Sequence, residues 1–213
     1  MIAKSILETK KTGRYYTLGK ANPNVYSLWI VFHGYGQLAN EFIENFSFLE
    51  SENTLIIAPE ALNKFYLRGF NGKIGAAWMT KEDRENEIKD YVCFIDKVFN
   101  EATKKLIMEK CKINVLGFSQ GTHTAVRWLD SFHRSIDKLI LWSGSFPRDC
   151  DYNSNMNYWK SIETTLVIGE NDKMITESMV KDNVEYFQKM NLNIKLVEFN
   201  GGHEIDEQTL TQL

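Results

Sequence analysis

A serine flanked by glycines stands between a predicted strand and a predicted helix, at Gly117–Phe118–Ser119–Gln120–Gly121. Ile, Val and Leu in 112–116 predict a buried strand, and apolar residues at helical spacing predict a helix over 122–129. A G-x-S-x-G turn holds its serine in a strained conformation, and the glycines are needed because a Cβ would collide with the neighbouring strand or helix. The pattern predicts a nucleophilic serine, although a serine that merely caps a helix fits the same letters.

A serine hydroxyl is a weak nucleophile at neutral pH and needs a histidine base, which follows the serine in chains with this turn. His123 lies inside the predicted helix, one turn from the serine, and His133 lies near the end of that helix, so both are interpreted as surface or packing residues. His203 instead follows the last predicted strand, after two glycines that let the loop turn back over the sheet. We therefore predict that His203 is the base.

The base needs a carboxylate to orient it, and Gly169–Glu170–Asn171–Asp172 directly follows the predicted strand 165–168. Asp172 is the predicted orienting acid, and Glu170 is the alternative because it lies nearer the end of the strand. The non-catalytic interpretation of Asp172 is a cap of the helix that follows it.

An oxyanion hole needs two backbone N–H groups that point to one position. The residue after the nucleophile, Gln120, supplies the first. The second is predicted from the glycine-rich loop His33–Gly34–Tyr35–Gly36, which follows the apolar strand 26–32, so Tyr35 is the candidate donor. His33 precedes the nucleophile in the chain and is interpreted as a structural residue that holds this loop. A simple tight turn is the alternative interpretation of the loop.

Strands and helices alternate along the chain, which predicts a mostly parallel sheet flanked by helices in an α/β fold without a separate lid domain. Functional loops of such sheets gather beyond the carboxyl ends of the strands. The predicted strands are 5–9 and 15–18 as a hairpin, 26–32, 54–58, 112–116, 138–142, 165–168 and 194–199. The predicted helices are a short helix or turn at 41–49, a long helix over about 80–102, then 122–129, 177–190 and a stub at 208–213.

Residues 60–79 are rich in glycine and aromatic side chains and show no regular period. Because the segment follows the carboxyl end of a strand, we expect it to line or cover the substrate site, with Phe70, Trp78 and Met79 as pocket residues. The alternative is that Trp78 and Met79 only pack the entry of the next helix. Because no separate lid domain is expected, the site should be open, and an open site favours small or soluble esters.

The bulk properties narrow the class of protein. The chain has 213 residues, a net charge of −3 and no basic stripe, so we expect one domain over 1–213 and no binding to nucleic acid. Its apolar runs are too short to span a membrane, and the start of the chain lacks the apolar core of a signal peptide. Three cysteines without metal-ligand spacing predict a reducing cytoplasm and no metal site. The oligomeric state is left open.

Four motifs together resemble the phospholipase/carboxylesterase family of small α/β-hydrolases, to which acyl-protein thioesterases are related. They are the runs that begin at Val31 (VFHGYG), Gly117 (GFSQG), Gly169 (GEND) and Gly202 (GHE). The resemblance implies an α/β-hydrolase fold, a triad of Ser119, Asp172 and His203, and an oxyanion hole at Tyr35 and Gln120. It also implies hydrolysis of small-molecule esters, or of thioesters, without a cofactor.

Two positions depart from the family pattern, which often has Asp where this chain has Gln37 and a second Gly where it has Thr122. Neither belongs to the reacting groups. Two other functions stay open at this point: a non-catalytic ligand-binding or receptor protein on the same fold, and a serine peptidase or acyltransferase with the same triad.

Overall fold

Nine strands and six α-helices form in the computed structural model, which describes residues 1–213. The strands are β1 (Tyr15–Leu18), β2 (Ser27–Phe32), β3 (Thr54–Pro59), β4 (Asn63–Tyr66), β5 (Ile74–Ala77), β6 (Lys112–Phe118), β7 (Lys138–Trp142), β8 (Glu163–Gly169) and β9 (Ile194–Phe199). The α-helices are α1 (Ala39–Phe42), α2 (Arg84–Ala102), α3 (Gln120–Phe132), α4 (Met156–Ser161), α5 (Glu177–Lys189) and α6 (Glu207–Leu210). Two 3₁₀ helices cover Ile43–Leu49 and Met108–Lys110.

Seven strands form one sheet in the order β1-β3-β2-β6-β7-β8-β9, and only β1 is antiparallel to its neighbour. The chain moves outward from β2 to β3 and then returns to place β6 on the other side of β2. Such a reversal opens a crevice at the carboxyl ends of the two central strands, where α/β sheets bind their ligands. The loops that follow β2 and β6 therefore meet at this crevice.

Side chains from both faces of the sheet are buried, because helices cover both sides. Successive residues of a strand point to opposite faces. Along β2, Leu28 and Ile30 belong to a cluster of 32 buried apolar residues, whereas Trp29 and Val31 belong to a second cluster of 15. Both clusters pack the sheet that carries the site.

Most regular elements match the sequence-based predictions to within a few residues; the exceptions are the short first helix, the strand predicted at 5–9, and β4, β5 and α4, which were not predicted. Strands β7 and β9 have the predicted bounds, and α5 differs from its prediction by one residue. The predicted helix at 41–49 is instead the end of α1 followed by a 3₁₀ helix. No helix combines the length and the apolar character that crossing a bilayer requires.

The predicted N-terminal hairpin is wrong. Residues 5–9 form no strand, and β1 pairs with β3, with Tyr15 opposite Pro59. An ion pair behind this edge explains the difference: Arg14 Nε lies 2.5 Å from Oε1 of Glu60, whose side chain is fully buried. Glu60 also pairs with Lys64 and accepts the Ala39 N–H, so it ties β1 to the start of α1.

Residues 60–79 contain a hairpin of β4 and β5 that the sequence did not predict. The hairpin packs on the loop after β2, where the Gly36 N–H donates to Ala76 O and the Ala76 N–H donates to Gln37 O. It thus extends beside the crevice.

Candidate active site

Ser119 occupies a sharp turn between β6 and α3. Its backbone has φ 53° and ψ −117°, in a region that L-residues rarely adopt, and α3 starts at the next residue, Gln120. The Ser119 N–H donates to Trp142 O at 2.8 Å, which fixes the turn against the end of β7. Strain of this kind persists only where surrounding contacts enforce it.

Two glycines make the turn possible. A Cβ on Gly117 would lie 2.4 Å from the carbonyl oxygen of Gly121, and a Cβ on Gly121 would lie 2.2 Å from the carbonyl oxygen of Phe32. Both obstacles are backbone atoms that cannot move aside cheaply. The collision that the sequence pattern predicts is therefore present on both sides of Ser119.

The loop after β2 passes directly beside Ser119, since a Cβ on Gly34 would lie 3.2 Å from the Ser119 Cβ. The Gly34 N–H donates to Gln37 Oε1 at 2.7 Å, whereas the Tyr35 N–H has no hydrogen-bond partner in the protein. The Gln120 N–H begins α3, at a helix end whose first amides lack partners within the helix. Both predicted oxyanion donors thus lie on segments adjacent to the serine.

His33 holds the loop from within. Its Nδ1–H donates to Gly34 O at 2.8 Å, and its Nε2 accepts the Ala61 N–H at 3.1 Å. Burial lowers the pKa of His33 to about 4, so the ring is neutral at pH 7. Because both ring nitrogens are engaged by backbone groups, His33 has a structural role.

Asp172 and His203 meet at the carboxyl ends of β8 and β9. His203 Nδ1 lies 2.7 Å from Asp172 Oδ2, and Asp172 Oδ1 accepts the Met174 N–H at 2.8 Å and the Ile175 N–H at 3.3 Å. Burial alone would raise the pKa of Asp172, but the hydrogen bonds from His203 and Met174 hold it below its ordinary value. Asp172 is therefore an ionised, fixed partner of the imidazole.

Glu170, the alternative acid, does not contact His203. Its side chain is exposed and only its backbone N–H is engaged, with Phe199 O. Of the two predicted acids, the structure pairs Asp172 with the histidine.

The nucleophile and the base lie at the same edge of the sheet but are not hydrogen-bonded. The His203 ring packs on Phe118, the residue before Ser119, with ring centroids 4.9 Å apart. The Ser119 hydroxyl has no protein partner and is not enclosed. Contacts between a catalytic serine and histidine are often loose without substrate.

A profile of the phospholipase/carboxylesterase family matches residues 20–213 of this sequence. The chain belongs to this family. It is an esterase-type hydrolase with an α/β-hydrolase fold. No curated protein matches the sequence significantly.

Solved structures of esterases share the fold over nearly the whole chain. Acyl-protein thioesterase 2 of Zea mays has a TM-score of 0.70 at 15% identity, over 94% of this chain and 96% of that chain. A carboxylesterase of Mesorhizobium loti has a TM-score of 0.67 at 16% identity, over 97% and 96%. A phospholipase/carboxylesterase of Dyadobacter fermentans has a TM-score of 0.63 at 20% identity, over 96% of each chain.

The predicted pocket residues of this family member have different surroundings. Trp78 is 1% exposed and donates from Nε1 to His33 O at 2.8 Å, so its prediction as a pocket residue is wrong and it belongs to the core. Phe70 is 90% exposed in the turn between β4 and β5. Met79 is partly buried, and its carbonyl oxygen accepts Gln120 Nε2–H at 3.0 Å.

Side chains that sequence analysis did not assign to the site also shape it. The side-chain amide of Gln120 holds the end of the hairpin. Its Oε1 accepts a hydrogen bond from the Trp78 N–H, and its Nε2–H donates to the Met79 carbonyl oxygen. The two residues that depart from the family pattern both bond to the backbone of the site. Gln37 Oε1 accepts the Gly34 N–H, and Thr122 Oγ1 donates to Ser119 O at 2.8 Å. The unusual residue types at 37 and 122 were the only signal for these contacts in the sequence.

Proposed function

We propose that this protein hydrolyses carboxylic esters of small molecules through a covalent acyl-enzyme, with Ser119 as nucleophile, His203 as base and Asp172 as the orienting acid. The observation that carries the proposal is the 2.7 Å hydrogen bond between His203 and Asp172, next to a serine held at positive φ. Neither feature is needed for a simple helix cap.

In the first half of the reaction, His203 Nε2 takes the Ser119 proton as Oγ attacks the ester carbonyl carbon. The Asp172 carboxylate accepts a hydrogen bond from the Nδ1–H of His203. This hydrogen bond selects the tautomer whose Nε2 is free to act as a base. The carboxylate also stabilises the imidazolium that forms. The Ser119–His203 hydrogen bond forms when the serine hydroxyl turns toward the ring in the complex with substrate.

The carbonyl oxygen becomes negatively charged in the tetrahedral intermediate. The N–H groups of Tyr35 and Gln120 bind this oxygen, helped by the positive end of α3. Gln37 supports this role by engaging the neighbouring Gly34 N–H, which keeps the loop in one conformation. His203 then protonates the leaving alcohol, and water activated by the same ring releases the acid and restores Ser119.

The hairpin of β4 and β5 supplies the apolar wall at the entrance of the site. The ring of Phe65 stacks on that of Tyr35 with centroids 5.1 Å apart, and Tyr66 and Leu67 are half exposed nearby. A thioester carbonyl would react in the same way, and the solved thioesterase of Zea mays shares the fold.

A fluorophosphonate probe and a chromogenic ester test the proposal. We expect the probe to modify Ser119 in the folded protein, as measured by peptide mass spectrometry, and we expect p-nitrophenyl butyrate to be hydrolysed. Ser119→Ala should abolish labelling and lower kcat by about a million-fold. Ser135→Ala, at an exposed serine beyond α3, is the matched control. A folded wild-type protein that neither labels nor turns over the ester would favour a non-catalytic binding protein.

A further inference from the structure

A second histidine lies close to the candidate nucleophile. His123 is four residues after Ser119, one turn along α3, and residues at this spacing share a face of a helix. Helical side chains lean toward the N-terminus of their helix. We therefore expect the His123 side chain on the part of α3 that faces the turn carrying Ser119.

The contacts of His123 connect it to the site. Its Nε2 lies 3.0 Å from Ser145 Oγ. The Ser145 N–H donates to Thr122 Oγ1 at 3.2 Å, and the same Thr122 hydroxyl donates to the carbonyl oxygen of Ser119. A Cβ on Gly144 would lie 2.9 Å from that carbonyl oxygen, so the loop of Ser145 runs directly against Ser119.

The buried His33 and the partly buried His123 differ in how their ring nitrogens are used. Both nitrogens of His33 bond to the backbone, as a purely structural role requires. His123 bonds only through Nε2, and its Nδ1 has no protein partner and is not enclosed. Burial, helped by the nearby charge of Arg127, lowers the pKa of His123 to about 4. The ring is neutral at pH 7, so the pair always offers one free donor and one free acceptor, whichever tautomer forms.

The charges behind the pair limit what it can bind. Arg84 and Arg127 both contact the carboxylate of Asp149, at 2.7 and 2.9 Å. Two guanidinium groups therefore share one carboxylate, and the surplus of positive charge disfavours a cationic ligand beside His123. A neutral or anionic oxygen is favoured.

We propose that His123 and Ser145 recognise an oxygen atom in the substrate, carried as an ether, hydroxyl or carboxylate a few bonds from the scissile carbonyl. The inference rests on the proposed function, since it concerns the choice of ester at the Ser119 site. The protein should therefore prefer short oxygen-bearing esters to alkyl esters of the same length. When a substrate carries a methylene group in place of the oxygen, His123 and Ser145 have no hydrogen-bond partner in it. This loss of binding selects the oxygen-bearing ester.

Matched substrates test the pair. The first series compares p-nitrophenyl methoxyacetate with p-nitrophenyl butyrate, and the second compares 2-methoxyethyl acetate with butyl acetate; each couple differs by one oxygen in place of a methylene. We expect Ser145→Ala and His123→Phe to lower the ether-to-alkyl ratio of kcat/KM by about 3- to 10-fold in at least one series, as for the loss of one hydrogen bond. Ser145→Thr, which keeps the hydroxyl, should retain the wild-type ratio.

The control variant is His133→Phe, at the exposed histidine that ends α3. Thermal unfolding checks that each variant is folded. Unchanged ratios in both series, with Ser119 still labelled by the fluorophosphonate, would overturn the recognition role and leave the esterase proposal intact. A wild-type protein that neither labels nor hydrolyses any of the esters would overturn both.

Discussion

At the scale of single residues, the backbone of Ser119 is the most informative feature. A positive φ at a non-glycine residue costs about 1–3 kcal/mol and is kept where function requires it. Here the strain is enforced by close backbone packing at Gly117 and Gly121, so the conformation of the serine depends on residues that have no side chain.

Gly121→Ala should therefore affect both folding and activity. Its methyl group would lie 2.2 Å from the Phe32 carbonyl oxygen, so we expect a loss of about 3 kcal/mol in the free energy of unfolding and loss of fluorophosphonate labelling. Chemical denaturation measures the first and gel-based labelling the second. Gly202→Ala is the control for stability, because no atom lies within 4 Å of a Cβ there. Equal stability of the two variants would contradict the packing argument.

Asp172→Asn should separate orientation from binding. The amide keeps an oxygen for the Met174 N–H but cannot hold the Nδ1–H tautomer of His203, so we expect kcat to fall by about 10⁴-fold with KM little changed. Steady-state kinetics on p-nitrophenyl butyrate provide the measurement. Glu170→Gln, at the neighbouring exposed acid, should leave both constants at their wild-type values. If the two variants lost activity equally, Asp172 would not be the orienting acid.

At the scale of elements, the site forms because several parallel strands end at one edge. The segments after β2, β6, β8 and β9 carry, in that order, Tyr35, Ser119, Asp172 and His203. This arrangement was predictable, since alternating strands and helices imply a parallel sheet and the motifs directly follow strands. The hairpin of β4 and β5 was not predictable, because it depends on backbone hydrogen bonds to Gly36 and Gln37, which are distant in sequence.

The side chain of Gln120 joins the hairpin to α3, and Gln120→Met tests this link. Methionine preserves the size but leaves the Trp78 N–H and the Met79 carbonyl without partners, so we expect a loss of about 1–3 kcal/mol in stability. Faster amide exchange of Gly36 and Ala76 would report a looser hairpin. Gln188→Met, at an exposed position of α5, is the control. Unchanged exchange at both amides would show that Gln120 does not hold the hairpin.

At the scale of the whole molecule, two neutral histidines, the buried His33 and the partly buried His123, couple folding to pH. His33 and His123 have pKa values lowered to about 4 from an ordinary value of 6.5. Between these values the unfolded chain binds protons that the native protein does not, so stability is full above about pH 6.5 and falls as the pH drops toward 4. The slope reaches at most about 1.4 kcal/mol per pH unit for each histidine.

Denaturant unfolding at several pH values between 7 and 4.5 measures this dependence. His123→Gln should make the slope shallower, whereas His133→Gln, on the exposed end of α3, should not. The depressed pKa values of Asp172 and Glu60 act in a lower window, where the carboxylates become protonated. An equal slope in wild type and His123→Gln would contradict the lowered pKa of that ring.

The similarity to the family begins at residue 20. Arg14 lies before this boundary, yet it neutralises in part the buried carboxylate of Glu60, which lies after it. Glu60 also accepts the Ala39 N–H, a few residues beyond the loop of Tyr35. A shortened form that starts at the family boundary would remove Arg14 and leave Lys64 as the remaining cationic partner of this buried carboxylate. The contacts that stabilise this enzyme therefore extend upstream of its recognisable homology, and a shortened form should keep Arg14 and the first edge strand.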